Sequence, residues 1–275
     1  MALIQMNLMS SALMRTVNVN VILPSDKLLP PGAVRKPGPF PTLYLLHGLL
    51  GSEYDWVTGT PIRRWAEERD LAVVMPAGEN SHYVDRTDAH VNFGEFVGSE
   101  LVALTREIFP LSKRREDTFL AGLSMGGYGA LRNGLKYSER FGSIAAFSVP
   151  NPLETVRRFK AESGKLTESK RFFESNFGPS DQIAGSDKDI LRLAEKLCQE
   201  EQELPKLFLA CGSSDPLLQG NRRLASVLQE LGYYTHYEEM AGGHDWDFWT
   251  AALRMLLDWL PLEANAGIHS GNVGL

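Results

Sequence analysis

The chain is poor in cysteine: Cys198 and Cys211 are its only two among 275 residues. Two thiols cannot build a disulfide framework, and nothing around them has metal-ligand spacing, so they read as reduced thiols of a cytosolic protein. Long apolar runs are also missing. No stretch reaches the roughly 18 residues that mark a membrane-spanning helix, which argues against a membrane partner. There is no basic excess. Lys and Arg number 28 against 34 Asp and Glu, a net charge of −6. An acidic surface repels a phosphate backbone, so nucleic acid is not an expected partner. The one basic run, Lys113-Arg114-Arg115, is answered at once by Glu116 and Asp117 and reads as a solvated turn. A secretory leader is not visible either. The first basic residue is Arg15, and Gln5, Asn7, Ser10 and Ser11 interrupt the opening stretch. A cytoplasmic location is the expectation.

What the chain does have is a large apolar fraction, 43%, with 23% charged residues. That composition builds a sizeable core. The length fits one α/β domain, here residues 1–275. TVNVNVIL from Thr16 to Leu23 alternates polar and β-branched residues, the period of a half-buried strand. Thr42–Leu46, Leu71–Met75, Thr118–Leu123, Ser143–Ser148 and Lys206–Cys211 are short and apolar, as strands covered on both faces should be. Thr235–Glu239 is more polar and reads as an edge strand. Helical spacing falls between these segments. It predicts helices after Thr60-Pro61, over Glu95–Phe109, Met125–Tyr137, Asn221–Leu231 and Trp246–Leu260. Alternating strand and helix implies a mostly parallel sheet with helices on both faces. Two regions lack a period: a cap-like insertion over about 150–186 and a loose tail over about 263–275.

The chemistry starts at Gly122-Leu123-Ser124-Met125-Gly126. This is G-x-S-x-G between an apolar strand and a helix, the context in which a serine is presented at a sharp turn with its Oγ exposed. A serine hydroxyl needs a base. Of six histidines, His244 in Gly242-Gly243-His244-Asp245 stands in a loop between the last strand and the last helix, where such a fold carries it. His47, His82, His90, His236 and His269 occupy less suitable places. The acid should fall between serine and histidine, after a strand, and Asp215 in Cys211-Gly212-Ser213-Ser214-Asp215-Pro216 does so. Its role would be to hold the tautomer of His244 and stabilise the imidazolium. Asp245 and Asp247 are rivals by nearness in sequence. A developing oxyanion needs two donors. One is the N–H of Met125; the other is expected from His47-Gly48-Leu49-Leu50-Gly51, with Leu49 first and Leu50 as the alternative. The side chains of Leu49 and Leu50 are expected to wall an acyl pocket. Asp85-x-x-Asp88-x-His90 could ligate a cation, but polar loops often produce such clusters, so neither metal nor cofactor is expected.

The runs Leu46-His47-Gly48-Leu49-Leu50-Gly51-Ser52, Thr118 to Ala130, Cys211 to Asp215 and Gly243-His244-Asp245-Trp246-Asp247-Phe248-Trp249 resemble the esterase D family of α/β-hydrolases. Within it the chain is most similar to bacterial tributyrin esterases. The resemblance implies cleavage of short-chain acyl esters with Ser124, Asp215 and His244 as the triad. The related S-formylglutathione hydrolases usually carry Ser-Gly-Leu-Thr-Cys where this chain has His47-Gly48-Leu49-Leu50-Gly51, which argues against that reading. The expected function is therefore a serine carboxylesterase acting on a small-molecule ester through an acyl-enzyme. An acyltransferase or a formylglutathione-type thioesterase is the alternative, and an intact Ser-His-Asp set speaks against a non-catalytic binding module. Activity is expected to rise through pH 6 to 8, as a histidine of ordinary pKa, about 6.5, loses its proton. The sequence leaves assembly into a homo-oligomer open.

Overall fold

A computed structural model describes residues 1–27, 34, 37–86, 89–158 and 169–263. Eight strands form one sheet. They are β1 (Ala2–Ser10), β2 (Arg15–Leu23), β3 (Thr42–Leu46), β4 (Ala72–Pro76), β5 (Thr118–Leu123), β6 (Ser143–Phe147), β7 (Lys206–Gly212) and β8 (Thr235–Met240). Their order across the sheet is β1-β2-β4-β3-β5-β6-β7-β8. From β4 to β8 every neighbour is parallel, while β2 runs antiparallel to both β1 and β4. This is the α/β-hydrolase fold.

Successive strand residues point to opposite faces. Tyr44, Leu46, Val74 and Leu120 join one core with Met125, Tyr128 and Leu131. Leu43, Leu45, Val73 and Phe119 join the other with Ile62, Trp65, Phe248 and Leu253. The helices that cover these faces are α1 (Asp55–Gly59), α2 (Ile62–Glu67), α3 (Leu101–Ile108), α4 (Met125–Lys136), α5 (Pro152–Arg158), α6 (Lys170–Phe177), α7 (Ile190–Gln199), α8 (Leu218–Glu230) and α9 (Trp246–Trp259). The helical pattern read over Glu95–Phe109 is interrupted. A π-helical turn, Phe96–Glu100, leads into α3.

Strand β1 departs from the sequence reading. Gln5 and Asn7, read there as breaks in an apolar leader, are the exposed face of a strand whose Ile4, Met6 and Leu8 pack on the core. They alternate because the strand period is two. β1 pairs with β2 along its full length, Ala2 opposite Leu23 through Ser10 opposite Arg15. Helix α7 was not expected either. Asp189 caps it, its carboxylate accepting from the N–H groups of Leu191 and Arg192. Between β6 and α7 the chain builds α5 and α6, which stand over the C-terminal ends of the strands beside Ser124. Part of the expected insertion, 159–168, lies outside the described residues, as do 264–275 of the tail, His269 included.

Buried charge ties the site's supporting helix down. Arg132 on α4 is fully buried, and its guanidinium meets Asp85 at 3.0 Å and also Asp187. Lys136 reaches the same two carboxylates at 3.1 and 2.7 Å. Burial alone would raise both carboxyl pKa values; the two cations outweigh it and hold them below the ordinary range. Asp85, one of the residues considered for a cation site, is thus engaged by Arg132 and Lys136, and Asp88 lies outside the described residues.

Candidate active site

Ser124 stands between β5 and α4 with φ 50° and ψ −117°, a conformation that a non-glycine residue adopts only when its surroundings enforce it. Two close approaches enforce it here. A Cβ on Gly122 would lie 2.3 Å from the Gly126 carbonyl oxygen, and a Cβ on Gly126 would lie 2.5 Å from the Leu46 carbonyl oxygen. Only glycine lets the strand, the turn and the end of β3 come this near. The Ser124 N–H then donates to the Phe147 carbonyl at 2.8 Å, pinning the turn to β6.

His244 follows β8. Its Nε2 lies 3.0 Å from Ser124 Oγ, and its Nδ1 lies 2.9 Å from Asp215 Oδ2. The ring sits edge-to-face against Trp249 at 5.0 Å. The loops bearing the acid and the imidazole are bound to each other: Ser213 N–H donates to the Met240 carbonyl and Ser214 N–H to the Gly242 carbonyl.

Asp215 follows β7, and its side chain is fully buried, whereas that of His244 is 32% exposed. The Leu217 N–H donates to Asp215 Oδ1 at 2.8 Å. Burial alone would raise the carboxyl pKa. Hydrogen bonds from His244, Leu217 N–H and the Ser148 hydroxyl outweigh burial and hold it below the usual carboxylate range. Ser148 in turn accepts from Trp249 Nε1 at 3.2 Å. The sequence reading missed Ser148. Its only sequence signal is its place just past the end of β6. The rivals are occupied elsewhere. Asp245 caps α9, accepting from Phe248 N–H, and also takes the Gly243 N–H; Asp247 is exposed in the first turn of α9.

The loop after β3 approaches Ser124 from the other side. A Cβ on Gly48 would lie 3.7 Å from Ser124 Cβ. His47 is buried and joins this loop to the one after β4. Its Nδ1 hydrogen-bonds the Gly48 carbonyl, and its Nε2 accepts from Gly78 N–H at 2.8 Å. Burial lowers its pKa, so it serves as a neutral cross-link. Leu49 lines a cavity of about 110 Å³ together with Ser124 and Met125. Leu50 does not join them. Its side chain is 75% exposed, its φ is 63°, and its N–H donates to Asn80 Oδ1 at 2.8 Å. Among the described residues the N–H groups of Gly48 and Leu49 have no acceptor, and of these two residues Leu49 lines the cavity with Ser124. Met125 begins α4, so its N–H also has no partner inside the helix, and it sits at the positive end of the helix dipole.

His236 lies on β8, bonded to Glu238 at 2.7 Å and stacked on Phe208. His82 lines the same cavity as Ser124, which sequence reasoning missed because nothing in Ser81-His82-Tyr83 distinguishes a wall residue from a loop residue. Among the described residues no group of three or more His, Cys, Asp or Glu is placed to hold a metal ion, and no helix is long and apolar enough to cross a membrane.

The arrangement thus holds a hydroxyl against an imidazole, and the imidazole against a buried carboxylate. Comparison with known proteins places the chain. A family model described as "Putative esterase" matches residues 10–260. The acetyl esterase of Caldicellulosiruptor saccharolyticus is 41% identical over 263 residues, covering 94% of this chain and 98% of that protein. Among solved structures, an S-formylglutathione hydrolase from Staphylococcus aureus is 30% identical with a TM-score of 0.80, over 94% of this chain and 98% of its own. A fluorophosphonate-binding serine hydrolase of the same organism, solved with substrate bound, is 30% identical with a TM-score of 0.81, over 96% and 99%. The chain belongs to this esterase family and is a serine carboxylic ester hydrolase of the α/β-hydrolase fold.

Proposed function

We propose that the protein hydrolyses short-chain acyl esters through an acyl-enzyme on Ser124, and that it belongs with the esterase D type, near the tributyrin esterases. The observation that carries this reading is His244 bridging Ser124 Oγ and the buried Asp215 carboxylate. As Oγ attacks the ester carbonyl carbon, its proton passes to His244 Nε2. Asp215 holds Nδ1 protonated, so Nε2 is free to accept, and it stabilises the resulting imidazolium. The carbonyl oxygen, now anionic, takes the N–H groups of Leu49 and Met125, each worth a few kcal/mol in the transition state. Collapse breaks the bond to the alcohol oxygen, which leaves with the proton from His244. Water then repeats the sequence on the acyl-enzyme, releasing the acid and restoring Ser124.

The cavity supports a short acyl chain. Its walls include Leu49, Met125, Tyr128, Phe173 and Phe177, and its volume is about 110 Å³. An apolar cavity of about 150 Å³ takes benzene, so this one suits an acyl chain of about four carbons. The name of the acetyl esterase relative agrees with a short acyl group.

The test is hydrolysis of p-nitrophenyl acetate, butyrate and octanoate by the wild type and Ser124→Ala, with fluorophosphonate labelling of both. Expected are a kcat/KM that peaks at two to four carbons, and loss of turnover and label in the variant. Equal activity in wild type and Ser124→Ala would refute the reading. A thioester reading draws on the similarity to the S-formylglutathione hydrolase, but the loop here is His47-Gly48-Leu49-Leu50-Gly51. S-formylglutathione belongs in the same panel, and a kcat/KM above that of every oxygen ester would replace the ester assignment.

A further inference from the structure

One wall of the cavity is polar and unpaired. His82 is 9% exposed, and its ring lies 4.9 Å from that of Phe177 and 6.0 Å from that of Phe172. Its Nδ1 is buried without a hydrogen-bond partner among the described residues, which is unusual for a side chain so enclosed. The backbone holds it there. His82 and Tyr83 both have φ of 53°, and Ser81 Oγ ties the turn by donating to the Gly78 carbonyl and accepting from Tyr83 N–H. Tyr83 is itself anchored, its hydroxyl on the His47 carbonyl and its own carbonyl on Asn133. An unpaired ring held by a left-handed backbone inside the same cavity as Ser124 suits a ligand better than packing, where phenylalanine would serve.

Resting on the esterase reading of this site, we propose that His82 recognises the substrate, binding a hydroxyl substituent carried close to the scissile ester. Burial lowers the imidazole pKa to about 4, so at neutral pH the ring is uncharged. It then offers one N–H and one lone pair, and either tautomer can meet a donor or an acceptor. The substituent can sit on the acyl chain or on the alcohol, and both sources use the same chemistry.

The experiment compares kcat/KM for ethyl butyrate with ethyl 3-hydroxybutyrate, the acyl arm, and for propyl butyrate with 3-hydroxypropyl butyrate, the alcohol arm. Wild type, His82→Phe and His82→Asn are measured. One hydrogen bond corresponds to about tenfold, so in one arm the wild type is expected to favour the hydroxylated ester over its plain partner by about that factor. His82→Phe should abolish that preference. His82→Asn, which tolerates the left-handed backbone and keeps a donor and an acceptor, should retain part of it. An unchanged hydroxylated-to-plain ratio in His82→Phe in both arms overturns the proposal. So does a wild type without preference in either arm, which decides the matter even if His82→Phe does not fold. Plain-ester turnover by wild type against Ser124→Ala reports separately on the catalytic reading, because the ratio alone reads His82.

Discussion

Replacing Asp215 by asparagine changes one atom and should disable the site through a tautomer. The carboxylate has two engaged oxygens: Oδ1 accepts from Leu217 N–H at 2.8 Å, and Oδ2 faces His244 Nδ1 at 2.9 Å. An asparagine must choose. With its oxygen toward His244, its NH2 would confront the Leu217 N–H, two donors face to face at a side chain with no solvent exposure. That leaves a buried donor unmet, at about 1–3 kcal/mol. With its oxygen toward Leu217, the amide N–H points at Nδ1, which must then be the acceptor. The ring proton moves to Nε2 and points at Ser124 Oγ, 3.0 Å away. A protonated Nε2 cannot take the serine proton. The second orientation meets both the Leu217 N–H and the His244 ring, so it should win, and the fold should survive with the chemistry lost. The imidazolium would also lose its counter-charge. Together these effects are expected to lower kcat by about 10³–10⁴-fold, or about 4–5.5 kcal/mol of transition-state stabilisation.

Steady-state hydrolysis of p-nitrophenyl butyrate by Asp215→Asn measures this directly, with a thermal melt beside it to show that the protein is folded. A kcat within tenfold of wild type in a folded variant would refute the tautomer argument and move the acid elsewhere. Asp245→Ala is the control. Asp245 caps α9, so its removal should cost about 1 kcal/mol of stability and less than tenfold in kcat.

Further perturbations follow from other contacts. Gly126→Ala places a Cβ 2.5 and 2.6 Å from the carbonyl oxygens of Leu46 and His47, backbone that cannot swing aside. It should destabilise the fold by about 1–3 kcal/mol and cut kcat by about 100-fold as the turn shifts, read by melting and turnover. Arg132→Met leaves Lys136 as the one cation bridging Asp85 and Asp187 among the described residues; urea titration should show a loss of about 3–5 kcal/mol, and an unchanged midpoint would deny the cluster a structural role. His82 supplies a pH signature. Its pKa falls from 6.5 to about 4 through burial, so the unfolded chain takes up a proton in this window and the folded chain does not. Stability of the wild type relative to His82→Phe should therefore drop as pH falls from 7 to 5, by about 2 kcal/mol. A constant difference in urea midpoints across that range would contradict the burial.

The parts of this molecule that could be read from sequence are those with a repeating cause. A strand covered on both faces must be short and apolar, so β3 through β7 declare themselves, and the order of chemistry along the chain follows the order of strand ends. Ser124, Asp215 and His244 meet because each ends a strand of one parallel sheet and all those ends face the same way. β1 was illegible because its inward residues are Ile4, Met6 and Leu8, among them an unbranched Met, and its outward Gln5 and Asn7 look like interruptions. Leu50 was misjudged for a related reason. The two leucines of His47-Gly48-Leu49-Leu50-Gly51 are identical in sequence, and only the left-handed φ at Leu50 with its bond to Asn80, 30 residues on, sends one to the cavity and the other to solvent.

The same division separates the reaction from its substrate. The proposed reacting groups, Ser124, Asp215 and His244, are held by strand ends and by glycines that permit backbone contact, positions with few alternatives. The cavity opposite them is walled by His82, Phe172, Phe173, Phe177 and Pro152, drawn from the loop after β4 and from α5 and α6. Those segments carry no sheet register. Their residues can change without moving Ser124 Oγ relative to His244 Nε2. Exchanging wall residues should therefore alter kcat/KM ratios between esters far more than the rate of fluorophosphonate labelling, which reports on Ser124 and His244. Phe173→Ala is the sharpest case. Phe173 is 4% exposed and stacks on Phe177 at 4.6 Å, so its removal enlarges the cavity directly. Octanoate should gain on butyrate by about tenfold while labelling stays within about threefold, since apolar contact for about two of its four extra methylenes, at about 0.8 kcal/mol each, amounts to about that factor. If labelling fell in step with butyrate turnover, wall and reacting groups would be one unit, and the separation argued here would fail.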